Sequence, residues 1–163
     1  MDLLGICRKQ VNSLMWGGSV RYHLCKHIFL KCGKKVNIER KAWFGSGLQI
    51  EIGDYSGIGI EAHIPSDTKI GRYVMMGPNC FILDVNHTFS SIDKPMCFQG
   101  HDSRKQTIID DDVWIGRDVS FTPGRHVKTG TIVAMSCVLT KDFPSYSIVG
   151  GNPSRLLKNR KEK

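Results

Sequence analysis

The sequence lacks the features that mark several common classes of protein. It has no apolar stretch of about 18 residues, which is the length that a membrane-spanning helix requires. Its six cysteines include no CxxC pair and follow no secretory signal, so thiols in a reducing cytoplasm are expected. The 163 residues are enough for one domain with a buried core, and a second domain is not expected.

Acidic residues are also scarce. The chain has 15 Asp and Glu against 23 Lys and Arg, which gives a formal charge of +8. This excess of positive charge predicts an anionic partner, such as a phosphorylated cofactor, a nucleotide- or lipid-linked acceptor, or a membrane surface. Because the basic residues cluster at the two ends and no nucleic-acid motif is present, nucleic acid is not an expected partner.

A large apolar residue recurs at every sixth position in two runs. The first run is Ile52, Ile58, Ile64, Ile70, Met76 and Ile82. The second run is Ile109, Ile115, Phe121, Val127, Val133 and Leu139. With 40% of the chain apolar, one chosen frame would be filled by chance about 0.004 of the time, so two filled frames are a real signal.

A period of six fits a short strand followed by a tight corner, repeated around a prism. Three such hexads, about 18 residues, form one coil, and each coil pairs with the next at the parallel-sheet spacing of about 4.8 Å. The positions two before the apolar residues of the first run are small or β-branched, as a narrow interior requires. They are Ile50, Ser56, Ala62, Thr68, Val74 and Cys80. A sandwich of short strands is the alternative, but its turns would not keep a strict period of six.

Four motifs accompany the repeats. They are Ile52-Gly53-Asp54, Val113-Trp114-Ile115-Gly116, Thr140-Lys141-Asp142 and Gly151-Asn152-Pro153-Ser154-Arg155. Together they resemble the hexapeptide-repeat acyltransferases, in particular the galactoside and maltose O-acetyltransferases and the sugar O-acetyltransferases of capsule and lipopolysaccharide synthesis. The resemblance implies an all-β fold, a left-handed parallel β-helix, over residues 36–157, and a homotrimer with active sites between subunits.

Residues 1–35 do not follow the period of six. Their apolar residues recur at helical spacing on both sides of Gly17-Gly18, which predicts two short amphipathic helices with basic polar faces. Such helices would either cap the first coil or rest on an anionic membrane surface. His23 and His27 stand one helical turn apart, but no third ligand is near them in the sequence, so no metal is expected. The charged tail 158–163 follows the coils.

The period breaks between the two runs, which predicts an excursion loop over residues 83–107. A long loop on a rigid scaffold is usually functional. In the resembled family this loop begins with a catalytic histidine, and the matching residue here is His87. Imidazole suits acyl transfer because it can take the proton of an attacking hydroxyl and return it to the departing thiolate near neutral pH. The other histidines near the repeats, His63, His101 and His126, are read as surface or structural residues.

Three polar residues are candidates for binding the acceptor. Asn86 lies beside His87 and can hold acceptor hydroxyls, while Asp84 can orient the loop; a turn-forming role is the alternative for both. The sugar-acetylating relatives carry an asparagine where this chain has Gly59, which puts their acceptor in doubt here. Glu61 is the nearest polar substitute, against the alternative of a solvent-facing charge.

The second run is predicted to line the acyl donor, acetyl-CoA. The resemblance places Trp114 near the pantetheine arm, and an indole with one N–H suits a chain that carries amides. Backbone N–H groups of Gly116 and Arg117 can stabilise an oxyanion. Family positions along the coenzyme A groove are occupied by Met135, Thr140, Lys141 and Arg155, of which the last two suit its phosphates.

The function expected is an acetyl-CoA-dependent sugar O-acetyltransferase of surface polysaccharide biosynthesis, in the cytoplasm or at the inner face of the membrane. An acyltransferase to serine, an antibiotic or an amino sugar is an alternative on the same fold. A β-helical metalloenzyme like the carbonic anhydrases would need three converging histidines. A non-catalytic β-helix module is the last alternative.

Overall fold

The structure is a computed structural model that describes residues 17–162. Its short parallel strands stack into three sheets, which form the faces of a prism. The first face consists of β1 (Lys31–Cys32), β3 (Glu51–Ile52), β5 (Lys69–Ile70), β8 (Ile108–Ile109) and β11 (His126–Val127). The second face consists of β2 (Asn37–Ile38), β4 (Gly57–Ile58), β6 (Met75–Met76), β9 (Trp114–Ile115), β12 (Ile132–Val133), β14 (Ser147–Gly150) and the antiparallel β15 (Arg155–Asn159). The third face consists of β7 (Phe81–Ile82), β10 (Ser120–Phe121) and β13 (Val138–Leu139), extended by bridges through His63 to Trp43.

The predicted parallel β-helix is therefore confirmed, and the period of six is its cause. Eleven of the twelve recurring apolar residues are buried inside the prism, and Met76 is partly buried. The six small or β-branched residues that precede the first run by two positions are buried as well. Equivalent residues of successive coils pair directly, for example Ile52 with Ile70 and Ile70 with Ile109. One column of side chains thus forms the core.

Between the faces the chain turns at three corners. We call the corner between the first and second faces the first corner (53–56, 71–74, 110–113, 128–131), the next the second corner (59–62, 77–80, 116–119, 134–137), and the last the third corner (65–68, 122–125). A residue with positive φ recurs at the first two corners, for example Tyr55, Glu61, Tyr73 and Asn79. At the second corner the coils stack so closely that a Cβ on Gly59 would lie 2.2 Å from the Gly77 carbonyl oxygen.

The helix α1 (Gly17–Ile28) covers the N-terminal end of the prism. Cys25 of the helix and Phe29 just beyond it are buried in the core, and the Phe29 ring meets the Phe44 ring edge-on at 5.0 Å. Arg21 is also buried, where it donates to the Ile38 carbonyl. This helix therefore acts as a cap. The first of the two predicted helices lies outside the described residues, and so do the residues that would decide its contact with a membrane.

The prism begins earlier than residue 36, where the sequence pattern locates its start. Lys31 of β1 pairs with Glu51, 20 residues later, whereas Glu51 pairs with Lys69, 18 residues later. The two additional residues put the first coil out of phase with the period of six, so the pattern does not reveal it. Within residues 17–162, no helix is long and apolar enough to cross a membrane.

The excursion over residues 83–107 leaves the prism at the third corner. Lys69 and Ile108 pair although they are 39 residues apart, so the loop is inserted into an otherwise regular coil. It forms an arm of two antiparallel segments, joined by hydrogen bonds from Thr88 N–H to the Gly100 carbonyl (3.1 Å) and from Asp102 N–H to the Asn86 carbonyl (2.9 Å). At the tip, the Gln99 side chain bonds the backbone of Ser91 and Lys94.

The close stacking at the second corner makes a testable prediction. Gly59→Ala would push a Cβ into the Gly77 carbonyl, so we expect the free energy of unfolding to fall by about 1–3 kcal/mol. Gly57→Ala is the matched control, because its Cβ would lie 3.4 Å from the nearest atom, the Asn37 carbonyl oxygen. Thermal or denaturant unfolding measures both. Equal stability of the two variants would contradict the stacking described here.

Candidate functional site

His87 lies on the first segment of the arm, with its side chain exposed. The backbone bonds at Thr88 and Asn86 flank it, so His87 and His101 form a non-hydrogen-bonded pair, in which side chains approach closely. The two imidazole rings lie 4.3 Å apart between centroids, tilted by 35°. Sequence reasoning missed His101, because its proximity to His87 depends on the register of the arm.

The acidic residue predicted to orient the loop is held at the root of the arm. Asp84 forms an ion pair with Arg104 (Oδ2 to Nε, 3.0 Å), and Arg104 also reaches Asp67 at the third corner (3.3 Å). Asp84 is therefore linked to the prism through Arg104, and its carboxylate is engaged in this ion pair. The Asn86 side chain is exposed beside His87, and the Asn86 backbone carbonyl accepts the hydrogen bond from Asp102 N–H that joins the two segments of the arm.

Glu61 lies at the second corner, whereas the arm leaves the prism at the third corner. Its carboxylate bonds Lys41 Nζ at 2.8 Å, and this contact lowers the pKa of Glu61 below its usual value. Asn79 and Asp118 occupy equivalent positions in the following coils and are hydrogen-bonded to each other at 2.9 Å. The hydrogen bond from Asn79, followed by that from Arg117, lowers the pKa of Asp118. Glu61 is thus one member of a polar column.

Four of the predicted donor-binding residues come together at the second corner. Trp114 is 50% exposed at the edge of the second face, and Met135 is 62% exposed one coil further on. Between them Gly116 allows close stacking, since a Cβ there would lie 2.6 Å from the Met135 nitrogen. This corner therefore presents two exposed apolar side chains, Trp114 and Met135, beside a closely stacked glycine.

The two predicted oxyanion donors differ. The Gly116 N–H already donates to the Val133 carbonyl at 2.8 Å, as part of the sheet. The Arg117 N–H makes no backbone hydrogen bond to any residue between 17 and 162. The Arg117 guanidinium is engaged with Asp118 at 2.9 Å. Of the two, the Arg117 N–H is the one without a backbone acceptor among the described residues.

The remaining three predicted donor-binding residues follow β13 in the chain. The Thr140 N–H, just past β13, donates to the Ser154 hydroxyl oxygen at 3.0 Å, and the two hydroxyl groups are hydrogen-bonded to each other at 3.1 Å. The Lys141 Nζ lies 5.4 Å from the centre of the Phe143 ring, and Lys141 lines a shallow groove beside β11 together with His126 and Asp142. Arg155 is exposed on β15. Thr140 and Lys141 follow β13 at the end of the third face. Arg155 pairs with Gly150, which stacks on Ala134 of the second corner, so Arg155 lies beside that corner.

The two histidines on the faces of the prism, His63 and His126, contact neighbouring side chains. His63 lies on the third face between Trp43 (3.9 Å between centroids) and Phe81 (4.9 Å), and burial there lowers its pKa. His126 contacts Asp110 at 2.8 Å. In the described part of the chain, no three histidine, cysteine or carboxylate side chains converge as a metal site would require.

The arm and the second corner lie at opposite edges of the third face. In each coil that face is a single short strand, such as β10 between Gly116 and Thr122. His87 therefore belongs to one edge of the prism, whereas Trp114, Gly116, Arg117 and Met135 belong to the other. Within one chain, the predicted base and these four predicted donor-binding residues therefore lie on separate edges of the prism.

Comparison with known structures identifies close matches in fold. A hexapeptide-repeat-containing acetyltransferase from Vibrio cholerae O1 biovar eltor, complexed with acetyl coenzyme A, is 27% identical with a TM-score of 0.84, covering 98% of this chain and 86% of its own. A maltose O-acetyltransferase from Clostridium difficile 630 is also 27% identical, with a TM-score of 0.82 and coverage of 98% and 87%.

Comparison of sequences gives a shorter match. A probable acetyltransferase of Mycobacterium tuberculosis is 34% identical over 94 residues, which are 58% of this chain. The match covers 31% of that relative, so this chain spans about a third of its length. No protein-family model matches the sequence. In its repeats and its fold the chain resembles the hexapeptide-repeat acetyltransferases, and the resemblance predicted from its motifs is confirmed.

Proposed function

We propose that this protein is an acetyl-CoA-dependent O-acetyltransferase whose acceptor is a sugar hydroxyl and whose general base is His87. The observation that carries the proposal is that one prism presents both an exposed imidazole on the arm and, at another corner, exposed apolar side chains beside stacked glycines. A neighbour of the same fold binds acetyl coenzyme A, and another is a maltose O-acetyltransferase.

In the proposed reaction the acceptor oxygen attacks the thioester carbonyl while His87 takes the hydroxyl proton. The tetrahedral intermediate then collapses, the bond from carbon to sulfur breaks, and the imidazolium returns its proton to the departing thiolate. The Arg117 N–H is the donor that we assign to the oxyanion, because the Gly116 N–H is committed to the sheet. Trp114 and Met135 would hold the apolar part of the donor.

The two halves of the site require more than one chain. We propose a homotrimer in which the arm of one protomer meets the second corner of the next. A ring of three chains closes when each third corner adjoins a neighbouring second corner, and the third faces then turn toward the axis. The tip of the arm supports this assembly, because it presents apolar side chains to solvent, among them Ile92, which is 97% exposed. Phe89, Met96 and Phe98 are exposed with it.

The proposal also covers the binding of the coenzyme A phosphates, the binding of the acceptor and the cellular role. Lys141 and Arg155 are proposed to meet the phosphates of coenzyme A from outside the second corner, and Thr140 supports them through its bonds to Ser154. Asn86 and Glu61 are proposed to face the acceptor from the arm and from the second corner. A role in surface polysaccharide synthesis, carried out in the cytoplasm, fits the net charge of +8, which favours nucleotide- or lipid-linked acceptors.

His87→Ala tests the base directly. We expect kcat to fall by about 10² to 10⁴, because no other group takes the hydroxyl proton, while the Kd of coenzyme A changes by less than about twofold. His23→Ala on α1 is the matched control, since it removes an exposed histidine from the helix that caps the prism, outside the arm. Thiol release from acetyl-CoA and calorimetry provide the two measurements. A variant with unchanged kcat would remove His87 from the mechanism.

A panel of acceptors tests the sugar assignment. We expect thiol release to be fastest with sugar hydroxyls, because Asn86 and Glu61 offer hydrogen-bonding partners for several hydroxyl groups. Serine, amino sugars and antibiotics are the competing acceptors, at equal concentration. Faster release with any of these would replace the sugar by that acceptor and leave the role of His87 intact.

A further inference from the structure

Among residues 17–162, no hydrogen-bonded side chain orients the base proposed above. A general base is normally held in place by a third group, most often a carboxylate. Two carboxylates of the arm have other partners: Asp84 pairs with Arg104 at 3.0 Å, and Asp102 accepts a hydrogen bond from the Thr88 hydroxyl at 2.9 Å. Across residues 17–162, the ring contact recorded for His87 is the one with His101.

The register of the arm fixes that contact. The hydrogen bonds from Thr88 and Asp102 lie on either side of the pair, so the two histidines project from the same side of the ladder at its closest spacing. Beyond the pair, Lys105 N–H donates to the Asp84 carbonyl (2.8 Å), a register shifted by one residue. The backbone register therefore brings the two side chains together, and their contact does not depend on the flexible tip of either side chain.

We propose that His101 is a positioning residue for His87, which it orients through ring stacking. This inference rests on the proposed function of His87. An exposed imidazole samples several rotamers, and a second ring with its centroid 4.3 Å away blocks those that turn toward it. Alignment of reacting groups is worth a large part of the barrier, and small displacements are costly. His101 thus limits the directions in which the base can point.

Two substitutions separate stacking from other roles. His101→Ala removes the ring, and we expect kcat to fall about tenfold while the KM of acetyl-CoA changes by less than about twofold. His101→Phe keeps a flat ring that neither titrates nor donates, so we expect it to recover kcat to within about threefold of the unaltered protein. If His101→Ala retains full kcat, or if His101→Phe is as impaired as His101→Ala, positioning by stacking is overturned.

A spectroscopic measurement is independent of turnover. The carbon-bound protons of the His87 ring, assigned by NMR through their loss in His87→Ala, sense the ring current of His101. We expect them to shift in His101→Ala and to stay near their original positions in His101→Phe, with His23→Ala as the unchanged control. Unshifted signals in His101→Ala would refute the contact. Should the protein transfer no acetyl group at all, the proposed function fails, whereas these shifts still report on the pair.

Discussion

The column of apolar side chains inside the prism is the constraint on which the structure depends. Each coil contributes three of these residues, and each strand is only two residues long over most of the chain, so a strand cannot bury its side chain without the coils above and below. The corners must then turn within four residues. That requirement explains both the residues with positive φ and the absence of a side chain at Gly59, Gly77 and Gly116.

The same constraint separates the functional groups. Because a coil is rigid and narrow, residues that leave it can do so only at a corner, and the arm does so at the third. The glycine-lined stack is at the second corner, so the third face stands between the imidazole and the donor-binding surface. The proposed base and the proposed donor-binding surface are thus held at separate edges of one chain, which is the reason for proposing a trimer.

The sequence predicted the fold well because the period of six encodes it directly, residue by residue. It did not reveal β1, whose coil is two residues longer, nor the capping contacts of Phe29 with Phe44, which depend on tertiary packing. For the site, the break in the period located the arm, and the family resemblance pointed to His87 within it. It could not reveal His101, because cross-strand pairing depends on a register, and it could not distinguish the engaged Gly116 N–H from that of Arg117.

Mixed oligomers test the central claim, that arm and second corner of different chains make one site. His87→Ala chains retain an intact corner, and Trp114→Ala chains, impaired in donor binding, retain an intact arm. Coexpressed in equal amounts and assayed at limiting acetyl-CoA, they should exceed both parents and approach about a quarter of full activity, since about one random interface in four combines two intact halves. If the site lay within one chain, the mixture would be no more active than the mean of its parents, which would contradict the account.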